Sequence, residues 1–398
     1  MSKRIGDYEE VSFTELDKVK VFLNGMKEDQ EYLVVPIEDT GVTCIQNDLF
    51  TQVNCEKVEF IKKGSKVLAA SVDPNEDINE ECINGNGMFL IAPYNNRYWC
   101  FPTMDSAFLH ILQRAGDDCQ TMRRFDETAA KRILPSEHKA LRLTEDLQLY
   151  KDECLILVRW GKVRAMLSKQ YVVLPADKLL DIVSQYAKKE FPDSKFHSGT
   201  WSHEFFRVEF DLNDDIREAE FQDFLEKFHV NAKKVSAKLI FFTSDIGLSS
   251  AVCRCYYDVD GTPFMLPGKV ELAHTGDASV GLFEERVEKH LKETFTASEE
   301  AIEKLGNIPI SNIADVLRRI QERYTFVSKD ILTTKAEELE IKGPNKGTAI
   351  DVYLYLNEIV QKQLAWKGAS VRDIVETSER LIKFLYLPYR SIDNGDDW

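Results

Sequence analysis

The sequence predicts an α+β protein: a largely antiparallel sheet with flanking helices, a β-rich N-terminal region and a C-terminal helical module. Short β-branched runs separated by Gly, Asn and Asp turns occupy residues 32–93. Between residues 151 and 305 the periodicity alternates in the order β-β-α-β-α-β-β-α. After Asn307 only amphipathic helix patterns remain. These patterns divide the chain into regions 1–150, 151–305 and 306–398.

In the first region we expect a polar helix from Ser12 to Met26, capped by Ser12 or Thr14. The acidic, turn-rich stretch 73–87 is typical of a loop. Helical spacing follows at 105–114 and 126–134, and Pro135 ends the latter helix. The predicted strands are YLVVPI, GVTCIQ, VEFIKK, KVLAASV and GMFLIAP.

In the second region, CLILVRW and KVRAML are predicted to form a hairpin that turns at Gly161. Pro175 opens a helix whose apolar residues share one face, and Pro192 closes it. Strict alternation at residues 206–211 predicts a half-buried strand. The remaining predicted elements are a helix at 216–228, the strands VSAKLIFFTS and AVCRCYYDV, and helices at 280–295, 312–323, 329–340, 348–366 and 370–386.

The composition indicates a folded cytoplasmic protein. Apolar residues make up 43% and charged residues 30% of the chain, an ordinary globular balance. No apolar run approaches the ~20 residues that cross a bilayer, and the first residues lack the apolar stretch of a signal peptide. The eight cysteines are scattered, which favours reduced thiols. Cys253 and Cys255 share a strand face that could bind a metal, but buried thiols are favoured because no second Cys/His pair has zinc-site spacing. We expect neither a metal nor a cofactor.

The net charge of −16 argues against a uniformly basic nucleic-acid-binding surface. The charge is unevenly distributed, however. Residues 151–200 contain nine basic and six acidic residues, whereas residues 201–300 contain eleven basic and twenty acidic residues. A basic segment between acidic surroundings can focus a phosphate backbone into one groove, although chance produces the same distribution.

No complete set of catalytic residues emerges, so the sequence indicates a binding protein rather than an enzyme. Asp258-Val259-Asp260-Gly261-Thr262 resembles the nucleophile loop of haloacid-dehalogenase-type phosphatases, in which one Asp attacks phosphorus and Mg²⁺ binds between carboxylates. That chemistry also needs a downstream Lys and a late acidic pair on a parallel sheet. A hairpin turn at Asp260-Gly261 explains the same residues without chemistry and is favoured.

The predicted hairpin at Gly161 interleaves cations with aromatic residues, the combination that binds single-stranded nucleic acid through phosphates and stacked bases. Lys162 and Arg164 lie on one strand face, so both should matter if either does. The alternative is a solvated strand face with Trp160 in the core. The candidate nucleic-acid-binding residues are Arg159, Lys162, Arg164, Lys169, Tyr171 and Trp201.

Residues 158–183, VRWGKVRAMLSKQYVVLPADKLLDIV, resemble the domain of unknown function 932 family of phages and plasmids. Ser244-Asp245-Ile246-Gly247-Leu248, His274-Thr275-Gly276 and the segments TAIDVYLYLNEIV and SERLIKFLYL agree with the same family. The likeness covers roughly residues 87–390. This sequence departs from the family at Cys253-Arg254-Cys255, which stands in place of the Cys/Asn/Gly segment common before the His-Gly pair. The difference weakens any transfer of the family's site residues to this sequence. The resemblance implies a mobile-element protein in a bacterial cytoplasm and no particular activity.

The order of helix 176–191, the following β runs and helix 280–295 is similar to the core of phage single-strand annealing proteins, which form rings or filaments around one DNA strand. The hypothesis is therefore a phage- or plasmid-type protein that binds single-stranded DNA and anneals it in recombination. The rival hypothesis is an interaction protein, for example one that blocks host defence, whose acidic surface meets a basic partner. A phosphatase is the third.

The end of the chain is acidic and closes on an aromatic residue, as do the partner-recruiting tails of single-strand binding proteins. The alternative is a frayed terminus without function. The candidate partner-binding residues are Asp396, Asp397 and Trp398.

Overall fold

The computed structural model describes residues 4–44, 57–62, 66–72, 76–116, 136–230, 232–265, 268–291, 293–324, 328–367 and 370–396. Antiparallel sheets with flanking helices dominate, which confirms the predicted α+β class. The strands are β1 (Val11–Phe13), β2 (Gln30–Pro36), β3 (Gly41–Cys44), β4 (Lys57–Lys62), β5 (Lys66–Val72), β6 (Met88–Tyr94), β7 (Arg97–Pro102), β8 (Glu153–Arg159), β9 (Lys162–Ser168), β10 (Lys195–Trp201), β11 (Phe206–Asp211), β12 (Val235–Thr243), β13 (Ala251–Val259), β14 (Thr262–Met265), β15 (Val270–Leu272), β16 (Pro309–Ile310) and β17 (Gly347–Thr348). The helices are α1 (Leu16–Glu28), α2 (Glu76–Asn84), α3 (Asp105–Arg114), α4 (Ser136–Leu147), α5 (Ala176–Glu190), α6 (Asp215–Lys227), α7 (Val280–His290), α8 (Glu293–Gly306), α9 (Ile313–Tyr324), α10 (Lys329–Lys342), α11 (Ala349–Lys367), α12 (Val371–Phe384) and α13 (Tyr389–Asn394).

The largest sheet runs in the order β1-β10-β11-β12-β13-β14, with β15 paired to β13. Alternation sends Phe206, Val208 and Phe210 of β11 into the core, as predicted. The same core includes the apolar stripe of α5 and continues into the C-terminal helices. There the ring of Tyr353 on α11 meets Phe264 on β14, with 5.0 Å between ring centroids. The C-terminal helices therefore extend the core that begins at the large sheet.

Two smaller sheets lie beside this core. One has the order β2-β8-β9, and the other has the order β3-β6-β7-β5-β4, in which only β5 and β7 pair in parallel. Since β2 pairs with β8 and β1 pairs with β10, strands from before residue 150 complete sheets built from the following region. The predicted boundary at residue 150 thus falls between paired strands of one sheet.

Three tight hairpins connect neighbouring strands by two residues with positive φ, the geometry of a type I′ turn. Trp160 and Gly161 have φ of 50° and 72°, and Asp260 and Gly261 have φ of 51° and 82°. Asn95-Asn96 forms the third turn, between β6 and β7. The predicted turns at Gly161 and at Asp260-Gly261 are therefore confirmed, and the second closes β13 onto β14 in an antiparallel pair.

Several local predictions were wrong. Residues 11–13 form β1, so helix α1 begins at Leu16, and neither Ser12 nor Thr14 caps it. The stretch predicted as a loop contains α2, because Ile78 and Cys82 pack inward one turn apart. The predicted helix 280–295 is divided into α7 and α8. Strands β7 and β10, helix α4, and the two-residue pair β16–β17 were not predicted, and the helix expected at 126–134 lies outside the described residues.

The helices predicted after residue 307 are confirmed as α9 to α12, with ends shifted by only a few residues. Ser370 caps α12 in a reciprocal capping box with Asp373, the kind of local signal that a sequence carries. Among the described helices, none is both long enough and apolar enough to span a bilayer.

Candidate nucleic-acid interface

The basic residues at the turn of the β8–β9 hairpin are buried. Arg159, Lys162 and Arg164 have relative exposures of 0%, 1% and 0%. The N-terminal residues 4–10 and helix α2 cover the turn, since Asp7 and Glu81 contact these cations. The alternative of a solvated strand face with Trp160 in the core is therefore wrong about the solvated face at this end of the hairpin, whereas Trp160 does lie in the core.

Asp7 is the central anion of this buried cluster. Its carboxylate pairs with Lys162 and accepts a hydrogen bond from Nη1 of Arg164 at 2.7 Å. Glu81 lies 3.7 Å from Nζ of Lys162 and also pairs with Arg4. Burial lowers the pKa of Lys162, and the hydrogen bond with Asp7 acts in the opposite direction. The shared carboxylate confirms that Lys162 and Arg164 lie on one strand face.

Arg159 has its own partners. Gln30 accepts hydrogen bonds from its Nε at 3.1 Å and its Nη2 at 2.9 Å, and Asp245 pairs with the same Nη2. The guanidinium carbon lies 5.7 Å from the centroid of the Trp201 ring. A phosphate could reach this cation only by displacing protein groups that already neutralise it.

His203 fixes the N-terminal segment over the cluster. Its Nε2 donates to the carbonyl oxygens of Ile5 and Gly6 at 3.2 and 3.0 Å, and its ring meets Trp201 edge to face. Burial, reinforced by the charges of Arg164 and Arg159, lowers the pKa of His203 to about 2. The imidazole is therefore neutral at physiological pH.

The other predicted contacts differ in accessibility. Lys169 is exposed and pairs with Glu153. Tyr171 is half-buried: its ring stacks on His274 at 4.9 Å with a 4° interplanar angle, and its hydroxyl donates to the Ser244 carbonyl at 3.1 Å. Trp201 is only 2% exposed. Of the predicted set, Lys169 alone presents its charge to solvent, and nucleic-acid binding by these residues stays a prediction.

A more accessible basic surface lies between α1, α5 and β10. It is a groove of about 510 Å³, large enough for a nucleotide-sized ligand, and no carboxylate lines it in the described part of the chain. Ser184 and Lys188 line it from successive turns of α5, Ser184 from the buried face of the helix and Lys188 from its exposed side. Phe196 and Phe210 form its floor as a cross-strand pair, with ring centroids 5.7 Å apart. We call this site the lysine groove.

Three lysines border the groove. Lys195 is exposed and makes no ion pair among the described residues. Nζ of Lys188 donates to the Ser194 carbonyl at 2.5 Å, and Nζ of Lys20 lies 2.7 Å from Asp181. The basic balance of residues 151–200 included Lys188 and Lys195, but Lys20 comes from a different region and carried no sequence signal.

The edge of the large sheet at this point is free. Strand β1 pairs only with residues 199–201 of β10, and a register shift between Phe196 and Ser198 bends the preceding part. Such a bulge with a terminal lysine discourages a further strand from pairing there. The exposed start of β10 is therefore a side-chain surface beside the lysine groove.

The Asp258–Gly261 loop has a structural explanation. Asp260 accepts hydrogen bonds from the backbone N–H groups of Lys233 and Lys234, and Asp258 accepts one from Gly261 at 2.8 Å. These carboxylates stabilise a hairpin of an antiparallel sheet. No set of three or more His, Cys, Asp or Glu side chains positioned for a metal occurs among the described residues. Cys253 and Cys255 are buried thiols in the core, where burial raises the pKa of Cys253 well above its usual value.

The C-terminal residues Ile392 and Asp393 are hydrogen-bonded to helix α9 and to the residues just before it. Asp393 accepts hydrogen bonds from the backbone N–H groups of Ser311 and Asn312 at 2.8 and 3.2 Å, and Arg319 donates to the Ile392 carbonyl at 2.6 Å. Asp396 is exposed, while Asp397 and Trp398 lie outside the described residues. Only the last few residues are thus candidates for a recruiting tail.

Comparisons with family models, curated proteins and solved structures gave no match. The resemblance to the phage and plasmid family stays a prediction.

Proposed function

We propose that this protein binds single-stranded DNA and that the lysine groove is where the strand lies. The observation that carries the proposal is the placement of Lys20, Lys188 and Lys195 around a floor of two phenylalanines, with no carboxylate among the described lining residues. Ammonium groups along one groove suit phosphates, and aromatic rings suit bases, which together give sequence-tolerant binding. Annealing of complementary strands is the activity that such binding would serve.

The three lysines should contribute unequally. Lys195 is unpaired among the described residues, so a phosphate gains its full attraction. Lys20 has to exchange Asp181 for the phosphate, and Lys188 has to leave a backbone carbonyl. We therefore expect Lys195→Ala to weaken binding most. The buried cluster at the hairpin takes no part in this site.

The test is a fluorescence-anisotropy titration of a labelled oligothymidylate across a series of salt concentrations. Each phosphate contact contributes about −0.7 to the slope of log affinity against log salt, so three contacts predict about −2. Lys195→Ala should reduce the slope by about 0.7. Lys189→Ala is the matched control, because Lys189 is the next residue on α5, pairs with Glu288 and does not line the groove.

The floor is tested separately. Phe196→Leu removes an aromatic face while keeping an apolar side chain, and loss of one stacked base costs about 1–3 kcal/mol. No rise in the anisotropy of the oligonucleotide at micromolar protein and low salt would overturn the proposal and favour the acidic-surface interaction protein. Equal losses in Lys195→Ala and Lys189→Ala would show that general charge, rather than the groove, holds the DNA.

A further inference from the structure

A second cavity of about 320 Å³ lies where the β6–β7 hairpin meets the sheet β2-β8-β9. Aromatic side chains form much of its wall. Trp99 and Phe101 project from the same side of β7, two residues apart, and Tyr94 ends the neighbouring strand β6. Trp160 closes the cavity from the β8–β9 turn. The wall is thus assembled from two sheets.

The rings face in different directions. The Trp99 and Phe101 planes are 28° apart, with centroids separated by 6.4 Å. The Tyr94 ring stands at 81° to Trp99 and at 74° to Phe101, with centroid distances of 6.0 and 5.9 Å. Tyr94 and Trp99 are half-buried, and both line the cavity. These contacts join the three rings into one packed cluster that forms a wall of the cavity, which we call the aromatic cavity.

The charged residues that line the cavity are acidic. Glu28, Asp29 and Glu31 line it, and none of the described Lys, Arg or His residues does so. Asp29 accepts a hydrogen bond from the indole N–H of Trp160 at 3.2 Å. Hydrogen bonding to Glu31 raises the pKa of Tyr94, which places this carboxylate beside the ring edge. An anion would be repelled from this cavity, whereas a cation would meet both carboxylates and ring faces.

We propose that this cavity is a binding site for a small organic cation with a methylated ammonium head, of the trimethylammonium type. Ring faces attract such a cation through their quadrupoles and require no hydrogen-bond donor from it. The three carboxylates add long-range attraction at the rim. The site is separate from the lysine groove, whose ligand has the opposite charge.

The test is calorimetric titration of the full-length protein with choline and with 3,3-dimethylbutan-1-ol, its uncharged isostere. Choline should bind, and the isostere should bind at least about 10-fold more weakly, because only the charged head gains the cation–π and carboxylate terms. Trp99→Leu should weaken choline binding about 5- to 30-fold, and Trp99→Phe should restore part of it. Glu31→Gln should weaken choline binding about 5-fold.

Glu80→Gln is the control for charge, since Glu80 is exposed on α2 and does not line the cavity. It should leave choline binding unchanged. Equal affinity for choline and its isostere, absence of choline binding, or a Trp99→Leu variant that is folded by circular dichroism and binds as the wild type would each overturn the proposal. Oligonucleotide affinity should be the same with and without choline.

Discussion

Asp7→Asn is expected to be among the most destabilising single substitutions at a polar residue. The carboxylate neutralises Lys162 and Arg164, which are 1% and 0% exposed, and its own side chain is 8% exposed. Removing one partner of a buried ion pair leaves an uncompensated charge, which costs about 3–5 kcal/mol. Because Glu81 remains 3.7 Å from Lys162, we expect the lower end, about 3 kcal/mol of the free energy of unfolding.

Urea titrations followed by circular dichroism measure this loss of free energy of unfolding. Two further variants show whether the loss comes from the uncompensated buried charge. Lys162→Met should cost less than about 1.5 kcal/mol, since Asp7 keeps Arg164 and the apolar chain fills a similar volume. Glu15→Gln breaks the exposed pair with Lys18 and should cost less than about 0.5 kcal/mol. The reasoning is refuted if Asp7→Asn costs less than about 1 kcal/mol or no more than Lys162→Met.

Three further predictions follow from the structure. Burial holds the pKa of His203 near 2, whereas the unfolded side chain titrates near 6.5, so only the unfolded state gains this proton as pH falls. The free energy of unfolding of the wild type should therefore fall by about 1.4 kcal/mol per pH unit below about pH 6.5, relative to His203→Gln. Parallel plots of stability against pH for the two proteins would contradict this. Phosphate esters with Mg²⁺ should not be hydrolysed, because the Asp258 carboxylate is engaged in the hairpin; a turnover that disappears in Asp258→Asn would restore the phosphatase hypothesis. Asp393→Ala should lower the free energy of unfolding by about 1–2 kcal/mol through loss of the bonds to Ser311 and Asn312, which urea titration measures. Truncation of residues 396–398 should remove any tail-dependent partner from a host-extract pull-down, and identical partners with and without those residues would end the recruiting-tail hypothesis.

Local features were predictable from the sequence because their causes are local. Asp260, Gly261 and Gly161 adopt positive φ, which Asp and Gly tolerate better than most residues. The alternation of Phe206, Val208 and Phe210 specifies one buried strand face, and Ser370 with Asp373 specifies the start of α12. Each signal lies within a few residues of the structure it determines.

Sequence composition gave the wrong secondary structure where tertiary packing determined it. The acidic stretch 73–87 has the residues of a loop, yet its few apolar side chains at helical spacing are buried against β6 and β7 and stabilise α2. The strand β10 has weak alternation and forms because β11 supplies its hydrogen-bond partners. In each element the pattern of apolar residues is too weak to identify the structure without the segments that pack or pair with it.

The accessibility of charge was decided by the tertiary structure alone. Strand periodicity places Lys162 and Arg164 on one face but cannot tell what covers that face, and the covering Asp7 lies 155 residues from Lys162 in the sequence. The lysine groove likewise joins Lys20 of α1 to Lys195 of β10, and the aromatic cavity joins β2, β6, β7 and the β8–β9 turn. The sequence determined most of the strands and helices, because backbone conformation responds to neighbouring residues. Which cations reach solvent depends on the segments that fold over them, and those contacts between distant residues exist only once the chain is folded.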